Sequence, residues 1–231
     1  MDLNSIQNKM PFPIIISIDG NIGAGKTTFL NELKSTHPEW HFIDEPVDSW
    51  LKFKNSEGES LLEVFYKDRK RWSYTFQNCA FLTRIRAITK AIDDWKEECT
   101  LNPEKAKHNI FITERCVETD YNVFAKMLHD DGSLDKMEWD MYRQWYRFLT
   151  KGAAVSAVLY ITCSPEKCKQ RIGIRHRDGE DAIPLGYLSQ LHKYHEEWID
   201  NTTIPVHVIN TEEDGKESYL LDEVNKFVTK I

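Results

Sequence analysis

Residues 14–28 read I-I-I-S-I-D-G-N-I-G-A-G-K-T-T, and this stretch decides the fold. Its first five residues form an apolar run, interrupted only by Ser17, that is typical of a short strand buried on both faces. A helix-like stretch, Phe29–Lys34, follows the glycines. The order of buried strand, glycine-rich turn and helix indicates a loop that binds phosphate.

The turn fits G-x-x-x-x-G-K-[ST] from Gly20 to Thr27. In such a loop the backbone N–H groups surround a phosphate, and the helix N-terminus adds its positive end. We expect Lys26 to reach the β- and γ-phosphates of ATP and the Thr27 hydroxyl to hold Mg²⁺. The residues expected to bind ATP here are Gly20, Asn21, Ile22, Gly23, Ala24, Gly25, Lys26, Thr27 and Thr28.

Length and composition indicate a single domain that spans residues 1–231. Charged residues make up 29% and apolar residues 41% of the chain, and the formal net charge is −7. This balance argues against a nucleic-acid-binding protein, which usually carries a basic excess. No stretch approaches the roughly 18 apolar residues of a membrane span, so no membrane partner is expected. The first ten residues lack the pattern of a targeting peptide, which predicts a cytoplasmic location.

Cysteine and histidine spacing does not indicate a metal site. Four residues separate Cys163 from Cys168, and no second pair completes a zinc site, so we expect buried thiols. His192 and His195 are expected to lie on an exposed helix face.

Apolar runs alternate with long amphipathic stretches along the chain. This alternation is typical of an α/β fold, with a five-stranded parallel sheet covered by helices on both faces. Ligands bind at the carboxyl ends of the strands in such a sheet. The expected strands are Ile14–Ile18, His41–Asp44, Asn109–Thr113, Val155–Thr162 and Pro205–Ile209.

Charged residues follow the second and third strands. Glu45, directly before Pro46, could accept the proton of a hydroxyl group that attacks a γ-phosphate, or could be an ordinary acid at a turn. Glu114 could position Mg²⁺, and Arg115 beside it could neutralise phosphoryl charge. The alternative is that Glu114 and Arg115 form an ion pair at the surface.

A helix predicted over residues 76–92 carries two unusual polar residues. One stripe of this helix is apolar, and Gln77 and Arg84 lie on the stripe beside it. Burying either side chain is costly unless it is paired, and a carboxamide suits the edge of a nucleobase. The alternative is that both side chains face water.

Arginines cluster after the fourth strand. Ser164 is a predicted N-cap with proline at the first helical position. Arg171, Arg175 and Arg177 precede a glycine-containing turn, which favours a mobile lid over residues 171–182 that closes on the phosphates of ATP. An exposed cluster without a ligand is the alternative.

Several longer motifs resemble the deoxyribonucleoside kinases of the deoxycytidine kinase and deoxyguanosine kinase group. The resemblance covers nearly the whole chain. Its motifs are D-G-N-I-G-A-G-K-T-T at 19–28, D-E-P-V-x-x-W at 44–50, R-W-S-Y-T-F-Q at 71–77, L-T-R-I-R at 82–86, G-S-L-D-K-M-E-W at 132–139 and I-P-L-x-Y-L at 183–188.

The resemblance implies a P-loop kinase fold and a role for each site residue. Glu45 would be the general base for the sugar 5′-hydroxyl, and Gln77 would bind the base edge. The remaining substrate contacts would be Arg84 and Asp120 beside the base, Tyr66 and Glu180 at the 3′-hydroxyl, the aromatic walls Trp50, Phe76 and Phe124, and Arg115. Catalysis would rest on Glu45, Arg115 and Lys26, and Mg²⁺ on Thr27 and Glu114.

The sequence departs from the group's pattern at two places. The motif E-R-S is Glu114-Arg115-Cys116 here, so a thiol replaces a hydroxyl group. The motif D-R-Y is Asp120-Tyr121-Asn122, and the lost arginine raises the question of what orients Asp120.

The expected reaction is Mg²⁺-dependent transfer of the ATP γ-phosphoryl group to the 5′-hydroxyl of a deoxynucleoside, as in nucleotide salvage. Deoxycytidine, deoxyadenosine and deoxyguanosine are expected to be preferred over thymidine, since thymidine-preferring relatives lack the Arg84–Asp120 pair. The alternatives are a thymidylate-type monophosphate kinase and a non-catalytic structural relative. A GTPase is disfavoured because the N-K-x-D and D-x-x-G motifs are absent.

The helical segment 137–149 indicates a homodimer. It carries apolar residues on two faces, and a single core requires only one of them. One face presents Met137, Met141, Trp145 and Phe148, and the other presents Trp139, Tyr142 and Tyr146.

Overall fold

Strand β1 (Ile14–Gly20) lies at the centre of a parallel sheet in the computed structural model, which describes residues 11–175, 177, 180, 183–213 and 217–231. Within these residues the strand order is β2-β3-β1-β4-β5, and every pairing is parallel. The other strands are β2 (His41–Ile43), β3 (Ile110–Glu114), β4 (Ala157–Thr162) and β5 (Val206–Asn210). The predicted fold class is confirmed. The strand ends differ by up to two residues from the predicted ones because inter-strand hydrogen bonds, rather than apolar composition, define them.

Helices cover both faces of this sheet. The helix predicted over 76–92 is the middle of a 33-residue helix, which begins after the N-cap Asp68 and ends before Pro103. The helices are α1 (Lys26–Thr36), α2 (Val47–Lys52), α3 (Leu61–Lys67), α4 (Arg69–Leu101), α5 (Val117–Thr119), α6 (Lys126–Asp130), α7 (Lys136–Leu149), α8 (Pro165–Arg175), α9 (Leu185–Asn201) and α10 (Glu217–Val228). A π-helical turn, Asp120–Ala125, joins α5 to α6, and the 3₁₀ turns are Pro103–Lys107 and Thr150–Gly152.

The glycine-rich loop packs directly against neighbouring backbone. Gly20 has φ +147°, and a Cβ atom there would lie 2.2 Å from the carbonyl oxygen of Ile161 in β4. Gly23 has φ +82°, and its Cβ would lie 2.4 Å from the carbonyl oxygen of Cys168 in α8. Neither position accommodates a side chain, so β4 and α8 set the position of the loop.

The prediction of buried thiols is confirmed for Cys163 and Cys168, and the prediction of an exposed helix face is wrong for His195. Four thiols are buried and Cys79 is partly buried, and no three metal-ligating side chains cluster among the described residues. His195 is fully buried, because the face of α9 that carries it packs against Phe124 and Tyr160. None of the helices in the described part of the chain has the length and apolarity to cross a membrane.

Candidate active site

Two adjoining cavities open at the carboxyl edge of the sheet, as the parallel topology predicts. The inner cavity lies between β1, β3 and α4, and all ten residues predicted to bind the nucleoside line it. Its lining is Ile22, Lys26, Glu45, Val47, Trp50, Leu62, Tyr66, Phe76, Gln77, Ala80, Arg84, Glu114, Arg115, Asp120, Phe124, Arg175, Arg177 and Glu180.

The outer cavity lies over the N-terminus of α1 and has a volume of about 390 Å³. It shares Lys26, Glu114, Arg175 and Arg177 with the inner cavity, so the two meet at these side chains. Its lining is Gly23, Ala24, Gly25, Lys26, Thr27, Thr28, Phe29, Glu114, Arg171, Arg175, Arg177, Thr211 and Glu213.

Three residues predicted to bind ATP do not line the outer cavity. The Gly20 carbonyl accepts a hydrogen bond from Arg115 (2.7 Å), and the Asn21 amide donates to the Leu188 carbonyl (2.8 Å). Ile22 lines the inner cavity instead. Hydrogen bonds to Arg115 and Leu188 therefore fix the start of the loop, and residues 23–28 line the outer cavity.

Lys26 lies between the two cavities and is buried. Its Nζ donates to the carbonyl of Asn21 at 2.7 Å. Burial, followed by the charge of Arg115, lowers the pKa of Lys26 to about 8. A phosphate in the outer cavity would favour the charged form of this lysine.

Thr27 and Glu114 place oxygen atoms together at the edge of the outer cavity. The Thr27 hydroxyl is 3.0 Å from both carboxylate oxygens of Glu114. Burial, reinforced by the charge of Glu45, raises the pKa of Glu114. One carboxylate and one hydroxyl beside a phosphate loop suit Mg²⁺, which usually takes one or two protein oxygens together with phosphate and water.

Glu45 lies on the inner cavity between two arginines. Its Oε1 accepts from Arg115 Nε at 3.1 Å and from Arg84 Nη2 at 3.3 Å. Burial alone would raise the pKa of Glu45, but the charges of Arg115 and Arg84 lower it to about 2. Glu45 is therefore an ionised carboxylate at neutral pH.

Arg115 adopts a backbone conformation that is rare for residues other than glycine. Its φ is +64°, and its guanidinium lies 4.8 Å from the centre of the Phe124 ring. Such strain persists only where the surrounding structure enforces it, and it is common at functional sites.

Arg84 is buried and fully paired. Its Nε donates to Asp120 Oδ2 at 2.9 Å, and its Nη1 donates to the Glu114 carbonyl at 2.7 Å. The alternative in which Gln77 and Arg84 face water is wrong, because both side chains are at most 2% exposed. Burial raises the pKa of Asp120, and Arg84 opposes that rise.

The departures from the family motifs lie behind the cavities. Tyr121 stacks on Tyr146 and Trp139, with ring centres 4.3 and 5.2 Å away, while Arg84 orients the neighbouring Asp120. The Cys116 thiol lies 3.1 Å from the Thr119 hydroxyl and 3.4 Å from Asp19, and it lines neither cavity.

The Gln77 side chain is buried, and its amide oxygen is an acceptor that no other group uses in the described residues. Within the part of the chain that the structure describes, its Oε1 has no hydrogen-bond partner. Trp50 and Phe76 form an adjacent apolar wall, with ring centres 5.3 Å apart. A buried acceptor without a partner is costly, so Gln77 is suited to a ligand that donates to it.

The predicted lid arginines have two different environments. Arg175 Nε donates to Glu180 at 2.9 Å and Arg177 Nη1 at 3.4 Å, at the point where the two cavities meet. Arg171 instead donates to the Thr211 carbonyl (2.7 Å) and lies on the outer cavity. Of the predicted lid over 171–182, residues 176, 178, 179, 181 and 182 lie outside the described residues.

Sequence reasoning missed several lining residues. Val47 and Leu62 complete the apolar wall of the inner cavity, and Glu213 lies on the outer one. Thr211, directly after β5, also lines the outer cavity, and the carboxyl-edge rule could have found it. Val47 is a fixed position of the D-E-P-V-x-x-W motif, which could have indicated it, whereas Leu62 and Glu213 belong to none of the quoted motifs.

Comparison with known proteins identifies related sequences over almost the entire chain. Residues 16–229 match the family described as deoxynucleoside kinase. Deoxycytidine kinase 2 of Gallus gallus is 34% identical, over 93% of this chain and 90% of its own length. The mitochondrial deoxyguanosine kinase of Xenopus laevis is also 34% identical, over 92% and 87%. Deoxycytidine kinase of Homo sapiens is 30% identical, over 94% and 91%.

Proposed function

The chain belongs to the deoxynucleoside kinase family, and from that premise we propose how its two cavities divide the reaction. It is a deoxynucleoside kinase with a role in nucleoside salvage. We assign ATP to the outer cavity and the deoxynucleoside to the inner cavity. The observation that carries this assignment is that Glu45 and Lys26 both line the inner cavity, while Lys26 also lines the outer one.

In this proposal the loop and its cations hold the donor. The backbone of residues 23–28 and the Lys26 ammonium bind the β- and γ-phosphates, and Arg175 and Arg177 add positive charge where the phosphoryl group crosses. Thr27 and Glu114 would hold Mg²⁺, which neutralises phosphate charge when bound. Arg171, anchored at Thr211, would contact the donor from the far side.

Glu45 acts on the acceptor. As an ionised carboxylate it accepts the proton of the 5′-hydroxyl while that oxygen attacks the γ-phosphorus. Arg115 keeps the Glu45 carboxylate in place and offsets charge on the phosphoryl oxygens. Most of the rate enhancement comes from positioning and charge, because the transferred group passes through a loose transition state.

The far end of the inner cavity would select the nucleoside. Gln77 Oε1 would accept from the base edge, and Trp50, Phe76 and Phe124 would pack on the ring faces. Tyr66 and Glu180 would bind the sugar 3′-hydroxyl.

Free space in the inner cavity is about 50 Å³. Ligand pockets usually have about 300 Å³ or more, so lining side chains must move to admit a nucleoside. This need supports a lid role for Arg175, Arg177 and Glu180.

An assay panel tests the proposal. Phosphate transfer from ATP is measured with each of the four deoxynucleosides and with thymidine monophosphate. We expect transfer to deoxycytidine, deoxyadenosine or deoxyguanosine to exceed transfer to thymidine, and thymidine monophosphate to be inactive.

A monophosphate kinase needs cations to bind the acceptor phosphate. In the described part of the inner cavity, Arg84 and Arg115 contact the Glu45 carboxylate, and Arg175 and Arg177 are assigned to the transferred phosphoryl group, so we expect no separate guanidinium group for an acceptor phosphate. Preferred use of thymidine monophosphate would contradict the acceptor assignment.

A homodimer through α7 is a further part of the proposal. The face that carries Met137, Met141, Trp145 and Phe148 is exposed, with Met137 73% and Phe148 72% accessible. Tyr142, on the opposite face, is fully buried against Phe81. The core therefore uses one of the two apolar faces, and a second copy would cover the other.

Light scattering at micromolar concentration is expected to give the mass of a dimer. Trp145→Glu places a charge on the exposed face and should shift the mass toward that of a monomer. Leu101→Glu, at the 87% exposed end of α4, is the matched control and should remain dimeric. A monomeric wild type, or a Trp145→Glu variant that stays dimeric, would refute this interface.

A further inference from the structure

Cys163 and Cys168 face each other where β4 meets α8. Cys163 follows the last residue of β4, and Cys168 is the fourth residue of α8. Their Sγ atoms lie 3.2 Å apart, and the two residues are 4% and 0% exposed. The S–S bond of a disulfide is about 2.05 Å long, so the sulfurs need to approach by little more than 1 Å to form one.

The two thiols differ in chemical character. The hydrogen bond from Cys168 lowers the pKa of Cys163 to about 7, against the effect of burial and with help from Arg171. Arg171 Nη1 lies 3.6 Å from Cys163 Sγ. The same hydrogen bond and burial raise the pKa of Cys168. Cys163 thus has the character of an attacking thiolate and Cys168 that of a resolving thiol.

This thiol pair lies directly behind the phosphate loop. The carbonyl of Cys168 is the group that contacts Gly23, where a Cβ atom would lie only 2.4 Å away. Arg171, which contacts Cys163, also donates to the Ala24 carbonyl at 3.3 Å and lines the outer cavity. The Arg171 side chain therefore lies between Cys163 and a small oxidant in the outer cavity.

Resting on the assignment of ATP to the outer cavity, we propose that Cys163 and Cys168 form a reversible oxidation site, at which a hydroperoxide converts the thiol pair to a disulfide and weakens ATP binding. The Cys163 thiolate attacks one peroxide oxygen, the O–O bond breaks, and a sulfenic acid and hydroxide form. The Cys168 thiol then attacks the sulfenic sulfur, so that the S–S bond forms and water leaves. In total, two thiols and one hydrogen peroxide give one disulfide and two waters. A dithiol reverses the reaction.

Disulfide formation would disturb the phosphate loop in two ways. It draws the first turn of α8 toward β4, and the contact between Gly23 and the Cys168 carbonyl leaves no room for that shift. It also removes the thiolate next to Arg171, which changes the position of a side chain on the outer cavity. In enzymes, a misplacement of about 1 Å can lower the reaction rate about 10²-fold. We expect displacement of the phosphate loop to have an effect of similar size on the donor, and the KM for ATP to rise roughly 10- to 10²-fold.

Mass spectrometry and kinetics on the same samples test this proposal. The full-length protein is treated with hydrogen peroxide, with and without later dithiothreitol. Because trypsin cleaves after Lys167, the two cysteines fall on different peptides, and the disulfide appears as a linked pair that reduction separates. We expect this linked pair together with the raised KM for ATP, and dithiothreitol should reverse both.

Matched variants separate this site from the other cysteines. Cys163→Ser and Cys168→Ser should each be resistant to peroxide inhibition, while Cys99→Ala, which removes a buried thiol on α4, should be inhibited like the wild type. Absence of the linked pair in inhibited protein would overturn the proposal. A linked pair without a change in KM would also overturn it, and so would serine variants that peroxide inhibits as strongly as it inhibits the wild type.

Discussion

Replacing Glu45 with glutamine is expected to slow phosphoryl transfer by about 10²- to 10⁴-fold, the usual range for loss of a general base. The carboxamide keeps the shape of the side chain but cannot take up the 5′-hydroxyl proton. Arg84 retains Asp120, and Arg115 retains the Gly20 carbonyl, so the fold should persist. The expected signature is a fall in kcat with nearly unchanged dissociation constants for ATP and nucleoside.

Asp44→Asn is the matched control for this substitution. Asp44 precedes Glu45 in the chain, its side chain is 67% exposed, and it pairs with Lys34 outside both cavities. The same change of charge there should leave kcat within about twofold, because the side chain of Asp44 is exposed and its ion-pair partner Lys34 lines neither cavity. Near-normal turnover of Glu45→Gln at neutral pH would remove Glu45 from the mechanism.

The pH dependence supplies a second test of Glu45. Its pKa is lowered on folding to about 2, so its ion pairs contribute their full stabilisation above the unfolded pKa of about 4.3. That contribution is lost as the pH falls through the folded pKa. We therefore expect no loss of wild-type activity from Glu45 protonation above about pH 5. An acid limb near neutrality that disappears in Glu45→Gln would contradict the ionised state of Glu45 described above.

Arg84→Met is expected to destabilise the protein by about 3–5 kcal/mol, because it leaves Asp120 buried without its partner. For a chain of this length, that loss corresponds to a fall in Tm on the order of 10 °C. Arg86→Met, two residues along the same helix and exposed, is the control and should change Tm little. A variant as stable as the wild type would show that the pair is not needed for folding.

Adding Asp120→Ala to Arg84→Met should recover part of the lost stability, since no unpaired buried charge remains. The double variant also tests base preference. The Arg84–Asp120 pair occupies the end of the inner cavity, and its removal provides room for the thymine methyl group. The kcat/KM for thymidine should therefore rise relative to deoxycytidine or the purines. A wild type that already prefers thymidine would refute this account of base selection.

The phosphate loop and the parallel sheet could be predicted from residues adjacent in the chain. A strand buried on both faces needs a continuous apolar run, and a loop around a phosphate needs glycine at set positions, so these patterns are local. The family motifs added Trp50 and Phe76 as cavity walls, because these residues too are identified from short stretches of neighbouring sequence. Even the cost of a buried Arg84 followed from its position on the helix.

The tertiary structure decided which side chains meet, because burial and pairing depend on segments that are far apart in the chain. Arg84 pairs with Asp120 and Glu45, 36 and 39 residues away, and Arg171 is held by Thr211 at the end of β5. His195 packs against Phe124 and Tyr160. It shares a buried stripe of α9 with Leu191 and Trp198, so helical periodicity indicated its burial, and only the tertiary structure identified the rings that it contacts. The contact between Cys163 and Cys168 likewise arises only when α8 folds back onto β4, since a five-residue spacing is compatible with many separations.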